Sequence, residues 1–181
     1  MQKITLIGID DHTPVFSDQL KDVIASADGF AGGKRHLDKV REAIPGHVRW
    51  VDIVSPLDSL LDEMRDHPGR WVVFASGDPL FFGIGNTLRK AFPEVEMTVF
   101  PTFNALQLLG HRLGINYGEY PVVSLTGRPW QALDEALIRR TPRMGILTDR
   151  KKTPPAIASR MLHYGYGAYR MYVGARVGGP Q

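Results

Sequence analysis

Short apolar runs alternate along the first part of the chain with stretches of helical periodicity. "KITLIGI" (3–9) and "RWVVFAS" (70–76) are nearly continuous apolar runs, the pattern of parallel strands buried on both faces. Residues 17–27 and 57–67 carry apolar side chains three and four positions apart, which predicts helices, the first with Ser17 as N-cap. The same criteria predict strands at "GFAGG" and "EMTVFP" and helices from Leu80 to Phe92 and from Asn104 to Gly114. This repeated strand–helix order predicts an α/β fold with a mostly parallel sheet.

A polar, glycine-rich stretch, "GINYGEYP" (114–121), precedes a second strand–helix series. Its predicted elements lie in "VVSLTG" (122–127), "WQALDEALIRR" (130–140), "RMGILTD" (143–149), "PAIASRMLHYG" (155–165) and "YRMYVGARV" (169–177). Pro155 after Thr153 suits the start of a helix, and Gly165 suits its end. We therefore predict an N-terminal α/β domain at 1–115, a linker at 116–120 and a C-terminal α/β domain at 121–181.

Composition narrows the classes of function. A hydrophobic content of 43% over 181 residues is typical of a globular protein with a real core. The 22 Lys and Arg against 19 Asp and Glu leave a net charge of only +3, so nucleic acid is not an expected partner. The absence of cysteine excludes disulfides and thiolate metal sites, and the six histidines lack the spacing of a metal site. No apolar window suits a signal peptide or a membrane span, so we expect a soluble, cytoplasmic protein.

The stretch "VFASGDPLFFGIG" (73–85) breaks a buried strand and restarts as a predicted helix. Asp78 is suited to cap that helix, Pro79 to begin its first turn, and Gly77 to adopt a positive φ. These residues are explained by local structure alone. Ligands of open α/β sheets, however, bind at the carboxyl ends of strands, where this turn lies. Both interpretations stay open at this point.

Other chemical motifs fail at this turn. Ser76 sits where a hydrolase nucleophile would, but Phe74 and Asp78 replace the glycines of G-x-S-x-G. "GIGNTL" has Leu88 at the third glycine position of a dinucleotide fingerprint, so Gly83 and Gly85 are better explained by helix packing. The chain has no P-loop motif. A turn serine or a ligand contact is therefore favoured for Ser76.

Several segments together resemble the tetrapyrrole (corrin and porphyrin) methyltransferases. The segments are "ITLIGI", "AGGKRHL", "ASGDPLFFGIG", "FPTFNALQLLGHRLGI", "VSLTGRPW" and "GILTD", in the family's order across nearly the whole chain. Within the family the chain is most similar to the branch that methylates C5 of precorrin-6Y or cobalt-precorrin-7 in cobalamin biosynthesis. The resemblance implies two α/β domains, with a mostly parallel sheet in the first, a mixed sheet in the second and S-adenosylmethionine in the cleft between them. It also implies a homodimer.

The resemblance further implies a set of binding residues. The implied cofactor contacts are Ser76, Gly77, Asp78, Phe81, Pro101, Asn104, Ala105, Leu125, Thr126, Gly127 and Thr148. Precorrins carry several carboxylates, so Lys34, Arg35 and Arg128 are expected to contact the substrate. No catalytic acid or base is needed, because the methyl group of a sulfonium is already a strong electrophile. Orienting the two reactants is the main expected contribution of the protein.

The chain also departs from the family pattern. "GIDDHTP" replaces the family's glycine-rich loop after the first strand, Thr126 stands where the branch often has His, and Ala175 where it commonly has Glu. Family members continue through at least one more strand, so we expect either a truncated chain or a shortened protein with an exposed sheet edge in the second domain.

Three hypotheses of function follow. The first is a precorrin C5-methyltransferase with a separate partner for C15 methylation and decarboxylation. The second is a non-catalytic module of the same fold that has lost cofactor binding. The third is methylation of another substrate, as in the family's diphthamide and RNA branches, which the "GGKRHL" match disfavours.

Overall fold

The structure is a computed structural model that describes residues 1–179. Residues 1–104 with 178–179 form one compact unit, and residues 105–177 form a second. Pro180 and Gln181, which end the predicted second domain, lie outside the described residues. Among residues 1–179, no helix combines the length and the apolar character that a membrane crossing requires.

The first unit is built on one parallel sheet. Its elements are β1 (Lys3–Ile9), α1 (Asp18–Ala25), β2 (Gly29–Gly32), α2 (Lys34–Val40), β3 (Arg49–Asp52), α3 (Asp58–Asp66), β4 (Arg70–Ser76), α4 (Ile84–Ala91) and β5 (Glu96–Phe100). The strands lie in the order β3-β2-β4-β1-β5 and every pair is parallel. The carboxyl ends of β1, β2, β4 and β5 therefore meet at one edge of the sheet, the edge at which α/β proteins bind ligands.

Helices cover both faces of this sheet, which explains why β4 is apolar without interruption. Successive residues of a strand point to opposite faces. Trp71 and Val73 pack with residues of α3 and α4, and Val72 and Phe74 pack with residues of α1 and α2. The ring of Phe74 stacks on that of Phe30, with centroids 6.2 Å apart. The α/β fold with a mostly parallel sheet is thus confirmed.

The second unit contains two short parallel strands and three helices. Its elements are α5 (Ala105–Leu113), β6 (Val122–Ser124), α6 (Gln131–Ile138), β7 (Gly145–Leu147) and α7 (Pro154–His163). The core consists of Val123, Leu125, Leu133, Leu137, Ile157 and Met161. Thr153 accepts a hydrogen bond from the N–H of Ala156 at 3.4 Å, and Gly165 has a φ of +82°. The predicted start and end of α7 are therefore confirmed.

The second unit differs from the prediction in two ways. Helix α5 packs against β7, so the division between the units falls after Asn104, ahead of that helix and not at the predicted linker 116–120. The strand predicted at 169–177 does not form, and Met171, Tyr172 and Val173 are 40–58% exposed. A strand needs a hydrogen-bonded neighbour, and β6 and β7 pair only with each other. The described sheet of this unit is accordingly parallel, and the predicted mixed sheet is not found within residues 105–177.

Local differences also occur in the first unit. The helix predicted from Leu80 begins at Ile84, because Phe82 has a φ of +55° and Gly83 is the extended N-cap. Gly85 lies inside that helix, where an added Cβ would come within 2.8 Å of Leu6, so its predicted role in packing is confirmed. The sequence did not predict α2 or β3. Both are short, and β3 is an edge strand with only its central residues half-buried.

Candidate functional site

In the first unit, the loops that follow β4 and β5 meet above the end of β1. The N–H of Gly77 donates to the carbonyl of Ile9 at 3.0 Å, and the carbonyl of Gly77 accepts from the N–H of Thr102 at 3.2 Å. A Cβ at Gly8 would lie 2.0 Å from the Gly77 oxygen, so this approach requires glycine at position 8. Gly77 itself has a φ of +64°, and a Cβ there would lie 2.9 Å from Cα of Asn104. This close packing of backbone brings together the following predicted cofactor residues: Ser76, Gly77, Asp78, Pro101 and Asn104.

Asp78 stabilises the turn after β4 and does not cap α4. Its Oδ1 accepts from the N–H of Leu80 at 2.9 Å, and its carbonyl accepts from the N–H of Phe81 at 3.1 Å. Phe81 is half-buried and packs edge-on against Phe82. The N–H of Gly77 is already used by Ile9, so it is not available to a ligand. Gly77 is buried, and its contribution is to let the backbone around Asn104 pack against this turn.

Ser76 lies at the centre of a polar cluster at this edge. Its Oγ is 2.5 Å from Nη2 of Arg35 and 3.1 Å from Nε2 of His36. The N–H of Gly33 donates to Nδ1 of His36 at 3.2 Å, so the ring proton of neutral His36 is on Nε2. Burial, with the nearby charges of Arg35 and Lys39, outweighs a backbone hydrogen bond with Phe74 and lowers the pKa of His36 to about 4, so the ring is neutral at pH 7.

This arrangement excludes Ser76 as an activated nucleophile. A general base must accept the hydroxyl proton, and Nε2 of His36 already carries a proton. The sequence analysis did not predict His36 as a site residue. The only clue in the sequence was its place in "GGKRHL", three residues after the glycine whose N–H it binds.

Helix α2 also holds the altered loop after β1. Nζ of Lys39 donates to the carbonyl of Asp10 at 2.7 Å and to that of His12 at 3.2 Å. Oδ1 of Asp10 accepts from the N–H of His12 at 2.9 Å. The segment "GIDDHTP" is therefore an ordered turn, fixed to α2. Lys34 and Arg35, the predicted substrate contacts, are exposed in the first turn of the same helix.

In the second unit, the loops after β6 and β7 are joined by hydrogen bonds. Oγ1 of Thr126 donates to the carbonyl of Thr148 at 3.1 Å. Asp149 accepts from the backbone N–H groups of Lys152 at 2.6 Å, Gly127 at 3.1 Å and Lys151 at 2.8 Å. These three bonds lower the pKa of Asp149 to about 2. Asp149 was not predicted as a site residue, although it orders the predicted residues Thr126, Gly127 and Thr148.

A cavity of about 960 Å³ opens beside these loops within the second unit. Ala105, Thr126 and Thr148 lie in its wall, so the structure brings three predicted cofactor positions to one cavity. Apolar side chains form much of the remaining wall, among them Leu109, Met144, Ile146, Met161 and Tyr166.

The remaining predicted residues of the second unit lie in different environments. Leu125 is fully buried in the core, and no exposed atom there can make the cofactor contact predicted for it. Nη1 of Arg128 donates to Oγ of Ser124 at 2.9 Å and to the carbonyl of Thr126 at 3.3 Å, which ties this predicted substrate contact to the end of β6. Within residues 1–179, no group of three or more His, Asp or Glu side chains could hold a metal ion.

Solved structures with the same fold include tetrapyrrole methylases. A precorrin-6Y methylase of cobalamin biosynthesis from Archaeoglobus fulgidus has a TM-score of 0.60 and 22% identity, covering 81% of this chain and 73% of that one. A uroporphyrin-III C-methyltransferase from Thermus thermophilus, in complex with S-adenosylhomocysteine, has a TM-score of 0.58 and 23% identity, covering 90% and 72%. The protein therefore has the tetrapyrrole methylase fold.

Sequence relatives indicate to which of the tetrapyrrole methylases this chain is similar. A precorrin-6Y C(5,15)-methyltransferase [decarboxylating] from a Sinorhizobium species is 33% identical over 97% of this chain and 42% of its own length. A cobalt-precorrin-7 C(5)-methyltransferase from Salmonella typhimurium is 30% identical over 84% of this chain and 74% of its own length. No protein-family model matches the chain. The chain belongs to the precorrin-6Y and cobalt-precorrin-7 C5-methyltransferase family. It spans less than half the length of the Sinorhizobium relative.

Proposed function

We propose that the protein is an S-adenosylmethionine-dependent methyltransferase that methylates C5 of a precorrin or a cobalt-precorrin in cobalamin biosynthesis. The observation that carries the proposal is the 30% identity to the Salmonella cobalt-precorrin-7 C(5)-methyltransferase, which extends over 74% of that protein. A cytoplasmic location and a homodimer belong to the same proposal. So does a separate protein for C15 methylation and decarboxylation, because the Salmonella relative, of which the chain covers 74%, is named for C5 methylation alone.

Two features of the structure fit the cofactor. At the edge of the first sheet, Gly77 shapes the turn, and a ligand can reach the exposed Ser76 and Pro101 and the half-buried Asp78, Phe81 and Asn104 around it. In the second unit, a cavity of about 960 Å³ is large enough for a nucleoside, and its apolar wall suits an aromatic base. Ala105, Thr126, Gly127 and Thr148 would hold the cofactor there.

The chemistry assigned to the chain is binding and orientation. The cofactor, when bound, supplies a methyl group on a sulfonium that a nucleophilic ring carbon can attack. Alignment of two reactants can lower a barrier by up to ~7–11 kcal/mol in ideal cases. The polar residues at the sheet edge suit this role, because neutral His36 donates to Ser76 and Asp78 accepts within its own turn.

The carboxylates of the substrate require cationic partners, for which we propose Lys34, Arg35 and Arg128. The contact of Arg35 with Ser76, at 2.5 Å, supports a place for Arg35 at the ligand-binding edge. Lys34 precedes it in the first turn of α2. Arg128 lies at the end of β6, among the proposed cofactor residues of the second unit.

One observation favours a second candidate function, a module of this fold that does not bind the cofactor. The loop "GIDDHTP" is bulky, acidic and fixed to α2 through Lys39. A glycine-rich loop at this position would leave more room beside the sheet edge.

Titration with S-adenosylhomocysteine separates the two functions. Binding to the native state raises the melting temperature, with a stabilisation of about 2.7 kcal/mol at one hundred times Kd. We expect a shift for the wild type and for Gly46→Ala, since a Cβ at Gly46 meets no atom within 4 Å. The melting temperature of Gly77→Ala should not rise with the ligand, because the Cβ of the alanine would collide with Asn104. The absence of a shift in the wild type at every ligand concentration would support the non-binding module.

The reaction itself is tested with a labelled methyl donor. Precorrin-6Y, precorrin-7 and cobalt-precorrin-7 are each incubated with the wild type, and the products are analysed by mass spectrometry and NMR. We expect one labelled methyl group at C5. Binding of S-adenosylhomocysteine with no methylation of any of these substrates would favour another substrate of the wider family.

A further inference from the structure

Two elements of the first unit place three polar side chains around one hydroxyl. Ser76 ends β4, and Arg35 and His36 are successive residues of α2. The sequence analysis assigned Ser76 and Arg35 to two different ligands and assigned nothing to His36. We infer that the three side chains form one carboxylate-binding cluster, in which Ser76 and Arg35 contact the carboxylate and His36 is a positioning residue that directs the hydroxyl proton of Ser76 towards it.

The direction of each hydrogen bond follows from the partners. Nδ1 of His36 accepts from the N–H of Gly33 at 3.2 Å, so Nε2 bears the proton and donates to Oγ of Ser76 at 3.1 Å. The guanidinium of Arg35 can only donate, and it does so to the same Oγ at 2.5 Å. Both lone pairs of Oγ are therefore used by donors. The hydroxyl proton of Ser76 is left to donate to a group outside this cluster.

The exposure of the three side chains separates their roles. His36 is only 8% exposed, whereas Ser76 and Arg35 are exposed at the edge of the sheet. A ligand can therefore reach Ser76 and Arg35 but not the imidazole. His36 acts through the hydroxyl that it orients.

The chemistry of the exposed groups indicates what they bind. A hydroxyl proton beside a guanidinium matches an anionic acceptor with two oxygens. Arg35 takes part in none of the ion pairs found among the described residues, so its acidic partner is sought in a ligand. The inference rests on the proposed function for the source of the carboxylate, which is the amino-acid part of the cofactor or a side chain of the tetrapyrrole.

The hydrogen-bond directions are tested first without any ligand. In the ¹⁵N spectrum of the imidazole rings at pH 7, we expect His36 to show a protonated Nε2 and an unprotonated Nδ1. Its signals are assigned with H36Q, and the exposed His47 serves as a control through H47Q. A proton on Nδ1 of His36, or a ring that is protonated on both nitrogens, would overturn the inference.

Two substitutions of His36 then separate its two hydrogen bonds. The amide of H36Q places an N–H donor near the position of Nε2, so it keeps the bond to Ser76. The amide of H36N reaches only the position of Nδ1, so it keeps the bond to Gly33 and loses the one to Ser76. We expect H36N to weaken binding of the carboxylated ligand about tenfold, and H36Q to restore most of the affinity. H36N combined with S76A should bind no more weakly than S76A alone, because His36 acts through Ser76.

Three probes identify the carboxylate by calorimetry. S-adenosylhomocysteine has an amino-acid carboxylate, 5′-methylthioadenosine is a related nucleoside without one, and uroporphyrin III carries only the carboxylates of a tetrapyrrole. If H36N loses affinity for S-adenosylhomocysteine alone, the cluster binds the carboxylate of the cofactor. If H36N loses affinity for uroporphyrin III alone, the cluster binds a carboxylate of the substrate. The inference would be overturned if H36N lost as much affinity for 5′-methylthioadenosine, which has no carboxylate, as for the carboxylated probes. It would also be overturned if H36N lost no affinity for either carboxylated probe.

The failure of the proposed function gives a different result. If the wild type binds neither nucleoside but binds uroporphyrin III in a manner that depends on the Ser76 donor, the cofactor proposal fails and the carboxylate cluster stands. If the wild type binds both carboxylated probes and H36N matches H36Q, the proposed function stands and the role of His36 fails.

Discussion

The carboxyl edge of the first sheet and the wall of the cavity in the second unit are packed in opposite ways. At the edge of the first sheet, backbone packs so closely that a single added carbon at Gly8 would overlap the Gly77 oxygen. In the second unit, short strands and apolar side chains surround a cavity of about 960 Å³. Tight backbone packing fixes the direction in which polar groups point. An open apolar wall supplies contact area but does not fix the direction of polar groups.

The two regions also differ in how they hold an ionisable side chain. In the first unit, His36 is buried and neutral, and its ring donates to Ser76. In the second unit, Asp149 is charged and accepts three backbone N–H bonds. Burial is therefore the main cause that lowers the pKa of His36, and hydrogen bonding is the main cause that lowers the pKa of Asp149. Four measurements test this comparison, and they are given in order of decreasing expected effect.

Gly8→Ala should have the largest effect. Its Cβ would lie 2.0 Å from the Gly77 oxygen and 2.7 Å from the Thr102 nitrogen, and backbone cannot move aside as a flexible side chain can. We expect the first unit to lose about 3 kcal/mol of unfolding free energy, the upper part of the range for overpacking. Urea unfolding followed by the fluorescence of Trp50 and Trp71 measures it, and Gly46→Ala is the control. Equal stability of the two variants would show that the edge is less tightly packed than we describe.

The stability of the first unit should depend on pH through His36. The pKa of His36 is about 4 in the folded state against 6.5 for an ordinary histidine, so the unfolded chain binds a proton in this interval and the folded chain does not. The neutral, buried ring of His36 therefore makes its full contribution to the unfolding free energy above about pH 6.5. This contribution is lost as the pH falls towards 4. The difference in unfolding free energy between wild type and H36Q, measured from pH 7.5 to 4, should follow this curve. A difference that is constant with pH would contradict the neutral, buried ring.

The second unit should depend on pH in a lower range through Asp149. Its pKa is about 2 in the folded state against an ordinary 3.8, so its contribution is complete above about pH 3.8 and is lost as the pH falls towards 2. We expect Asp149→Asn to be less stable than wild type at pH 7 and to lose that difference near pH 2. Unfolding followed at Trp130, with Trp50 and Trp71 replaced by Phe, reports on this unit. A difference that persists unchanged at pH 2 would show that the carboxylate charge is not what holds the loops.

Ala158→Leu should have the smallest effect on stability. Ala158 lines the cavity, so the added carbons enter open space and the unfolding free energy should change by less than about 1 kcal/mol. The same substitution should weaken binding of S-adenosylhomocysteine if the nucleoside occupies the cavity. Calorimetric titration measures the affinity, and thermal unfolding measures the stability. Destabilisation as large as that of Gly8→Ala would mean that the cavity closes in solution, and the contrast with the first unit would then disappear.

The elements that sequence analysis predicted well are those with strong local patterns. The apolar runs at 3–9 and 70–76 became β1 and β4, because burial on both faces leaves the strand interiors apolar, apart from the half-buried Thr5 of β1. Ser17 and Thr153 accept hydrogen bonds from N–H groups three residues later, as N-caps do. The order of the motifs along the chain also indicated the family.

Predictions that required knowledge of distant neighbours were less successful. The segment 169–177 has the composition of a strand, but no neighbouring strand pairs with it in the second unit. Helix α5 follows the first sheet along the chain and nevertheless packs with β7. Leu125 lies within a predicted cofactor motif, yet its side chain belongs to the core.

By itself, the sequence determined the alternation of strands and helices apart from α2, β3 and the segment 169–177, the limits of most helices and the family. Hydrophobic periodicity, caps and turn glycines depend on residues a few positions apart, so a single chain displays them directly. Only the tertiary structure decided that His36 is neutral, that its proton faces Ser76 forty positions away, and that Thr126 and Thr148 share one cavity wall. These properties depend on burial and on hydrogen-bond partners from distant segments, which are brought together only when the chain folds.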